Sequence, residues 1–209
     1  MNENVKIKKD LPLVTYVLVI LNILVYLAEL AKGASMDTEK LLDMGATYTP
    51  YIMEGQWWRL LTAMFLHRGF MHIAGNMFAL FVIGPYIEAY FRKWKFAVIY
   101  FVSGLFGNLI FLIIENMNVI RTQDYVVGVG ASGAVFGLAG AMVIFSMDPL
   151  TKRAFPITRV IIALILMIAP GIGDQSINLT AHVAGLIAGF LTAYTFYYFQ
   201  PVTPQAPQQ

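Results

Sequence analysis

Five polar side chains in apolar surroundings carry the chemical interest of this chain. Ser132 stands between glycines in "GVGASGAVFGLAG", His182 lies in "TAHVAGLIAGF", and His67, His72 and Asn76 share "HRGFMHIAGNM". A serine hydroxyl is a weak nucleophile until a base within hydrogen-bond reach takes its proton, and His182 is a candidate for that base. Acyl transfer also needs donors aimed at the oxygen that becomes negative. His72, Asn76 and the backbone N–H of Ser132 at a helix start could supply them. No acidic residue falls near the level of these groups in the apolar part of the segments that carry them, so we expect a Ser/His pair without the third carboxylate of familiar triads. The glycines admit a plainer reading as well. Small residues such as Gly130, Gly133 and Gly137 around Ser132, and Gly185 and Gly189 after His182, let membrane helices approach closely. The two readings cooperate, because close contact between these segments would serve catalysis and packing alike.

Such groups need a scaffold, and the composition says which kind. Of 209 residues, 58% are hydrophobic and only 12% charged, where a soluble domain has roughly a quarter charged. That little charge leaves a water-facing surface uncovered, so the chain is read as a membrane protein. A net charge of +2 without a long basic run gives no footprint for nucleic acid. Cysteine is absent, which excludes disulfides, thiolate zinc sites and cysteine nucleophiles.

A membrane span needs about 20 apolar residues at 1.5 Å each, and six stretches qualify: 11–31, 69–91, 94–114, 131–147, 155–172 and 179–199. The fifth is the weakest, because Arg159 interrupts it and must snorkel or sit at the interface. A cleaved signal peptide fits the first stretch poorly, since Glu29 and Lys32 crowd the cleavage site that "LAKGAS" would offer. With six spans, Lys6, Lys8, Lys9, Arg92, Lys93, Lys95, Lys152, Arg153 and Arg159 fall on one side, and Lys32, Lys40, Arg59, Arg68 and Arg121 on the other. By the positive-inside rule both ends are then cytoplasmic, with residues 1–10 a cytoplasmic segment and 200–209 a disordered tail. Residues 32–68 form a long extracytoplasmic loop whose "GQWWRLLTAMFLHRGF" suits the headgroup layer, with His67 near the interface and partly hydrated. The whole of 1–209 reads as a single membrane domain.

In that topology the second, fourth and sixth spans enter from the extracytoplasmic side, each with its polar residues in roughly its first two turns. His72 and Asn76, four apart, share a face. Each polar group alone is as easily a structural contact between helices, and Ser103 and Asn108 are read that way. Glu88, close to Arg92 and Lys93, is read as a structural anchor, since sixteen residues from His72 is about 24 Å along a helix.

These motifs together resemble the rhomboid family of intramembrane serine proteases: "GASG" around Ser132, "AHVAGLIAG" around His182, "HRGFMHIAGN" in the second span and "WWR" in the first long loop. The resemblance covers nearly all of the chain. It implies an all-α, six-helix membrane bundle, with Ser132 as nucleophile, His182 as base, and His72, Asn76 and the Ser132 amide for the oxyanion. Gly130, Gly133, Phe136, His67 and Gly185 would support the site, and Trp58 and Arg59 would be a structural loop motif. Phe136 falls where family members carry an aromatic residue, often tyrosine, packed near the base; here the ring is kept without its hydroxyl.

The implied reaction is hydrolysis of a peptide bond in or beside a transmembrane helix of another membrane protein, with no metal, nucleotide or other cofactor. The site would open away from the cytosol through a water-filled cavity in a bacterial or archaeal cytoplasmic membrane. A non-catalytic chaperone or trafficking factor that binds transmembrane helices is the alternative, distinguished by a missing nucleophile or base. A small transporter relaying protons through His67, His72 and His182 is a third reading, disfavoured by the lack of an acid at that depth and of paired broken helices. Partners are therefore membrane-protein substrates and the lipid bilayer. The sequence leaves the oligomeric state open.

Overall fold

A computed structural model of the chain describes residues 11–122, 125–168 and 178–199. These residues are helical apart from connections and one isolated bridge between Thr47 and Gly128. The first helix, α1 (Leu13–Ala31), leads into a loop that holds three short helices, α2 (Thr38–Asp43), α3 (Thr49–Met53) and α4 (Arg59–Thr62), and a 3₁₀ turn, Ala63–Phe65. Then follow α5 (Phe70–Phe91), α6 (Lys93–Thr122), α7 (Ser132–Met147), α8 (Ile157–Ile168) and α9 (Leu179–Phe199). Among the described residues four helices, α1, α5, α6 and α9, are long and apolar enough to cross a membrane; α7 and α8 are shorter apolar helices. The chain is a multi-pass integral membrane protein.

The helix bounds refine the spans expected from hydropathy. α6 was expected to end at residue 114, but it runs on to Thr122, so its 30 residues rise about 45 Å. A helix need not stop where its apolar stretch does, and here Glu115 is held by partners described below. α7 keeps the expected end at Met147, and its 16 residues rise only about 24 Å. α8 begins at Ile157 rather than at residue 155, with Pro156 just before its first residue, the place where a missing N–H costs nothing. Residues 169–172 of the expected fifth span lie outside the described residues.

Between helices in lipid there is little hydrophobic driving force, so association rests on close packing and on buried polar contacts. α7 is buried along most of its length and packs chiefly against α9, with α6 against both. Backbones touch at that seam: a Cβ added to Gly185 would strike the carbonyl oxygen of Gly133, and one added to Gly189 that of Gly137. The outer faces of α1, α5 and α9 present apolar side chains such as Leu24, Phe78 and Leu191 to lipid.

Polar residues in the bundle mostly bond to backbone groups, in their own helix or in a neighbouring element. Ser103 donates to the Ile99 carbonyl at 2.5 Å, and Asn108 reaches across to the Leu60 carbonyl at 2.8 Å. Glu88 is an anchor, though not through Arg92 or Lys93. Its carboxylate accepts the N–H groups of Val14 and Thr15 at 3.0 and 2.7 Å and the Thr15 hydroxyl at 2.8 Å. It therefore caps the start of α1, whose own N-cap, Pro12, offers no side-chain acceptor.

In the loop, Arg59 is buried. Its guanidinium donates to the carbonyls of Leu42 and Ala46 at 2.6 and 3.0 Å and to Gln56 Oε1 at 2.7 Å. It lies over the rings of Tyr51 and Trp58 at 4.9 and 4.7 Å, so the Trp58–Arg59 pair ties α2, α3 and α4 into one unit.

Glu88→Ala leaves two buried backbone donors without an acceptor and should cost about 2–4 kcal/mol, with Glu88→Gln less damaging, read as unfolding in detergent by circular dichroism.

Candidate active site

Ser132 is the first residue of α7, and His182 lies in the first turn of α9. α9 starts where it does because Asn178 Oδ1 accepts the Ala181 N–H at 2.9 Å. With the α7–α9 seam closed by glycines, these two helix starts meet: Ser132 Oγ and His182 Nε2 are 2.8 Å apart. Phe136, one turn into α7, stacks on the His182 ring with centroids 4.2 Å apart and planes 11° from parallel. The other ring nitrogen, Nδ1, is buried and has no hydrogen-bond partner among the described residues. Among the described residues the imidazole is thus oriented by an aromatic face and by its own helix, with no carboxylate on it.

The segment ahead of Ser132 is held on three sides. Val126 N–H donates to Glu115 Oε1 at 2.6 Å, while Glu115 Oε2 accepts the Thr49 hydroxyl in a short hydrogen bond. Thr47 and Gly128 exchange backbone hydrogen bonds at 2.9 and 3.0 Å, and Gly130 N–H donates to the Ala63 carbonyl at 2.8 Å. Gly130 has φ +128°, a conformation that side chains rarely adopt, and a Cβ there would lie 2.7 Å from Cε1 and Nε2 of His72 and 3.6 Å from Ser132 Oγ. His72 and Ser132 therefore both lie near the space that a side chain at residue 130 would enter, and the glycine keeps it open.

Asn76, one turn beyond His72 on α5, is buried, and its Nδ2 finds no acceptor among the described residues. A buried amide donor left without a partner beside such a site is a group available to a ligand. Ser132 and His182 thus touch, His72 lies against Gly130 just ahead of Ser132, Phe136 covers the His182 ring, Gly133 and Gly185 meet at the α7–α9 seam, and Asn76 follows His72 one turn along α5. Trp58 and Arg59 do not join them and act within the loop. Among the described residues no three His, Asp or Glu side chains gather as a metal site would require.

His67 departs from expectation. It is not hydrated at an interface but fully buried, with its N–H donated to Glu29 Oε1 at 3.0 Å and its ring edge-to-face on His72, centroids 5.1 Å apart. Burial, reinforced by the neighbouring His72, pushes the His67 imidazole down to about 3, so it is neutral. Glu29 corrects a second expectation, since it puts an acid at the depth where none was read. It sits at the far end of α1, outside the three helices that carry the site, so no motif announces it. Glu115, Thr47 and Ala63 were missed for a related reason: their partners are backbone groups, which leave no residue-type signal.

The fold and site define a helical multi-pass membrane protein with a serine hydrogen-bonded to a histidine from a second helix. The family model described as Rhomboid domain matches residues 54–199. The chain is 32% identical over 183 residues to rhomboid protease GluP of Bacillus subtilis, covering 87% of this chain and 34% of that protein. It is 33% identical over 202 residues to rhomboid protease AarA of Providencia stuartii, 87% of this chain and 72% of that one. RHOMBOID-like protein 5 of Arabidopsis thaliana is 33% identical over 165 residues, 78% of this chain and 50% of that one. The chain belongs to the rhomboid family, and its match spans about a third of GluP's length and about half of RHOMBOID-like protein 5's.

Two outcomes follow from this geometry. Gly130→Ala forces a side chain onto His72 in a backbone conformation that resists it, and should slow fluorophosphonate labelling of Ser132 about tenfold or more, followed by gel fluorescence. His67 binds a proton in the unfolded chain near 6.5 but in the folded one only near about 3, so its contribution to stability is full above 6.5 and declines as pH falls through that window. Unfolding in detergent should become easier over that range, and His67→Phe should flatten the dependence.

Proposed function

We propose that this chain is an intramembrane serine endopeptidase that cuts peptide bonds in or next to transmembrane helices of other membrane proteins. The observation that carries the reading is the 2.8 Å hydrogen bond between Ser132 Oγ and His182 Nε2 inside a membrane bundle. As Ser132 Oγ attacks the scissile carbonyl carbon, His182 Nε2 takes the hydroxyl proton. The carbonyl oxygen becomes negative and is met by Asn76 Nδ2, the His72 ring and the Ser132 N–H at the start of α7. His182 then gives its proton to the departing amine, leaving an acyl ester on Ser132. Water, activated by the same imidazole, cleaves that ester and restores the serine.

The unpartnered Asn76 donor supports the oxyanion role, and the stack of Phe136 on His182 supports a two-residue machinery in which ring orientation needs no acid. In this reading the six apolar helices all belong to one membrane domain, with both ends cytoplasmic and the site opening to the other side of a bacterial or archaeal cytoplasmic membrane. α7, at about 24 Å, is shorter than the hydrocarbon, which suits a serine placed below the surface at the foot of a wet cavity. A substrate helix already satisfies its own backbone, so it must unwind locally before its carbonyl reaches Ser132. Helix-weakening residues such as glycine near the cut, and a small side chain just before it, are therefore expected.

Ser132→Ala should reduce cleavage of a single-span model substrate by at least about 10³-fold while the circular dichroism spectrum stays that of the wild type; undiminished cleavage refutes the proposal. Fluorophosphonate labelling of Ser132, lost in His182→Ala, separates the enzyme from a helix-binding chaperone with the same bundle.

A further inference from the structure

Glu29 is fully buried in the last turn of α1, and ionisable groups at such depth are costly enough to be retained for a reason. Its side chain reaches out of its own helix to the backbone N–H of His67, while Oε2 has no partner among the described residues. His67 lies in the short connection between the 3₁₀ turn and α5, and Gly69, the N-cap of α5, offers no side-chain acceptor. The start of α5 is therefore held from outside, by Glu29. The His67 ring, itself near the Phe65 carbonyl at 3.3 Å, is set edge-to-face against His72. His72 also lies against Gly130, two residues before Ser132. Glu29, His67, His72 and Gly130 are thus successive neighbours, leading from the end of α1 to the residue two before Ser132.

We propose that Glu29 is a positioning residue of the active site: by fixing the backbone of His67 it sets the ring that holds His72 at the oxyanion. The inference rests on the proposed protease reading and deepens it. Glu29 touches no reacting atom, but a displacement of about 1 Å at a catalytic group costs on the order of 100-fold in rate. The interaction needs an acceptor at Oε1 rather than a negative charge, so glutamine should replace glutamate where alanine does not.

The test is steady-state cleavage of a single-span model substrate by the full chain in proteoliposomes, with Glu29→Ala, Glu29→Gln and His67→Ala each made in wild-type and His72→Ala backgrounds. Glu29→Ala should lower kcat about tenfold or more with KM changed less than about threefold, and Glu29→Gln should recover most of that loss. In the His72→Ala background Glu29→Ala should cost little further, because its effect passes through the missing ring. Equal fractional losses in both backgrounds, an unchanged kcat in Glu29→Ala, or a loss that glutamine does not relieve would overturn the inference. If Glu29→Ala yields no folded protein, His67→Ala decides by the same kcat loss and the same non-additivity. Wild type that fails to cleave sinks the protease reading as well, whereas an active wild type with additive losses sinks this inference alone.

Discussion

Everything at this site depends on how closely α7 and α9 approach. Ser132 and His182 are fifty positions apart in sequence and meet because the backbone of Gly185 lies against that of Gly133, with no room for a side chain between them. In lipid no hydrophobic collapse would force such a seam shut. The glycines make it possible by removing what would hold the helices apart, and dispersion and weak backbone contacts then hold it. The small residues that look like mere packing are therefore what converts two distant side chains into one hydrogen bond.

A second constraint is the treatment of buried acids. Glu29, Glu88 and Glu115 are all nearly or wholly buried, and each accepts a backbone N–H from a different element: His67, the start of α1, and Val126. Helix starts and connections leave such donors open, and in a low-dielectric interior an open donor is costly. A carboxylate from a neighbouring helix answers that need and fixes the angle between the two elements. Two of the three act on segments that lead directly to the site, the Glu115 clamp ahead of Ser132 and the Glu29 clamp ahead of His72. Arg59 does the converse in the loop, donating to the carbonyls of Leu42 and Ala46.

Reading the residues alone singled out Ser132 and His182, which touch in the structure, and most of the helices, because those signals are local. A twenty-residue apolar stretch declares itself, and a serine or histidine within one is conspicuous since lipid penalises it. The family resemblance rested on the same local motifs. His67 was named, but its surroundings were misread, since a histidine just outside an apolar run looks interfacial whether or not a loop covers it. α6 was drawn too short, because hydropathy marks where the apolar face ends and says nothing of a helix that continues into a covering loop.

What the residues settled by themselves is the membrane setting and the chemical inventory: a hydroxyl, imidazoles and an amide held in hydrocarbon, where each needs a partner or a purpose. What only the tertiary structure decided is which of them touch, and what holds them. The pairing of Ser132 with His182, the Phe136 stack and the reach of Glu29 to His67 are all contacts between separate elements. The partner of Glu29 is a backbone group, which every residue carries alike, so no pattern of residue types could have announced that contact before the helices were packed.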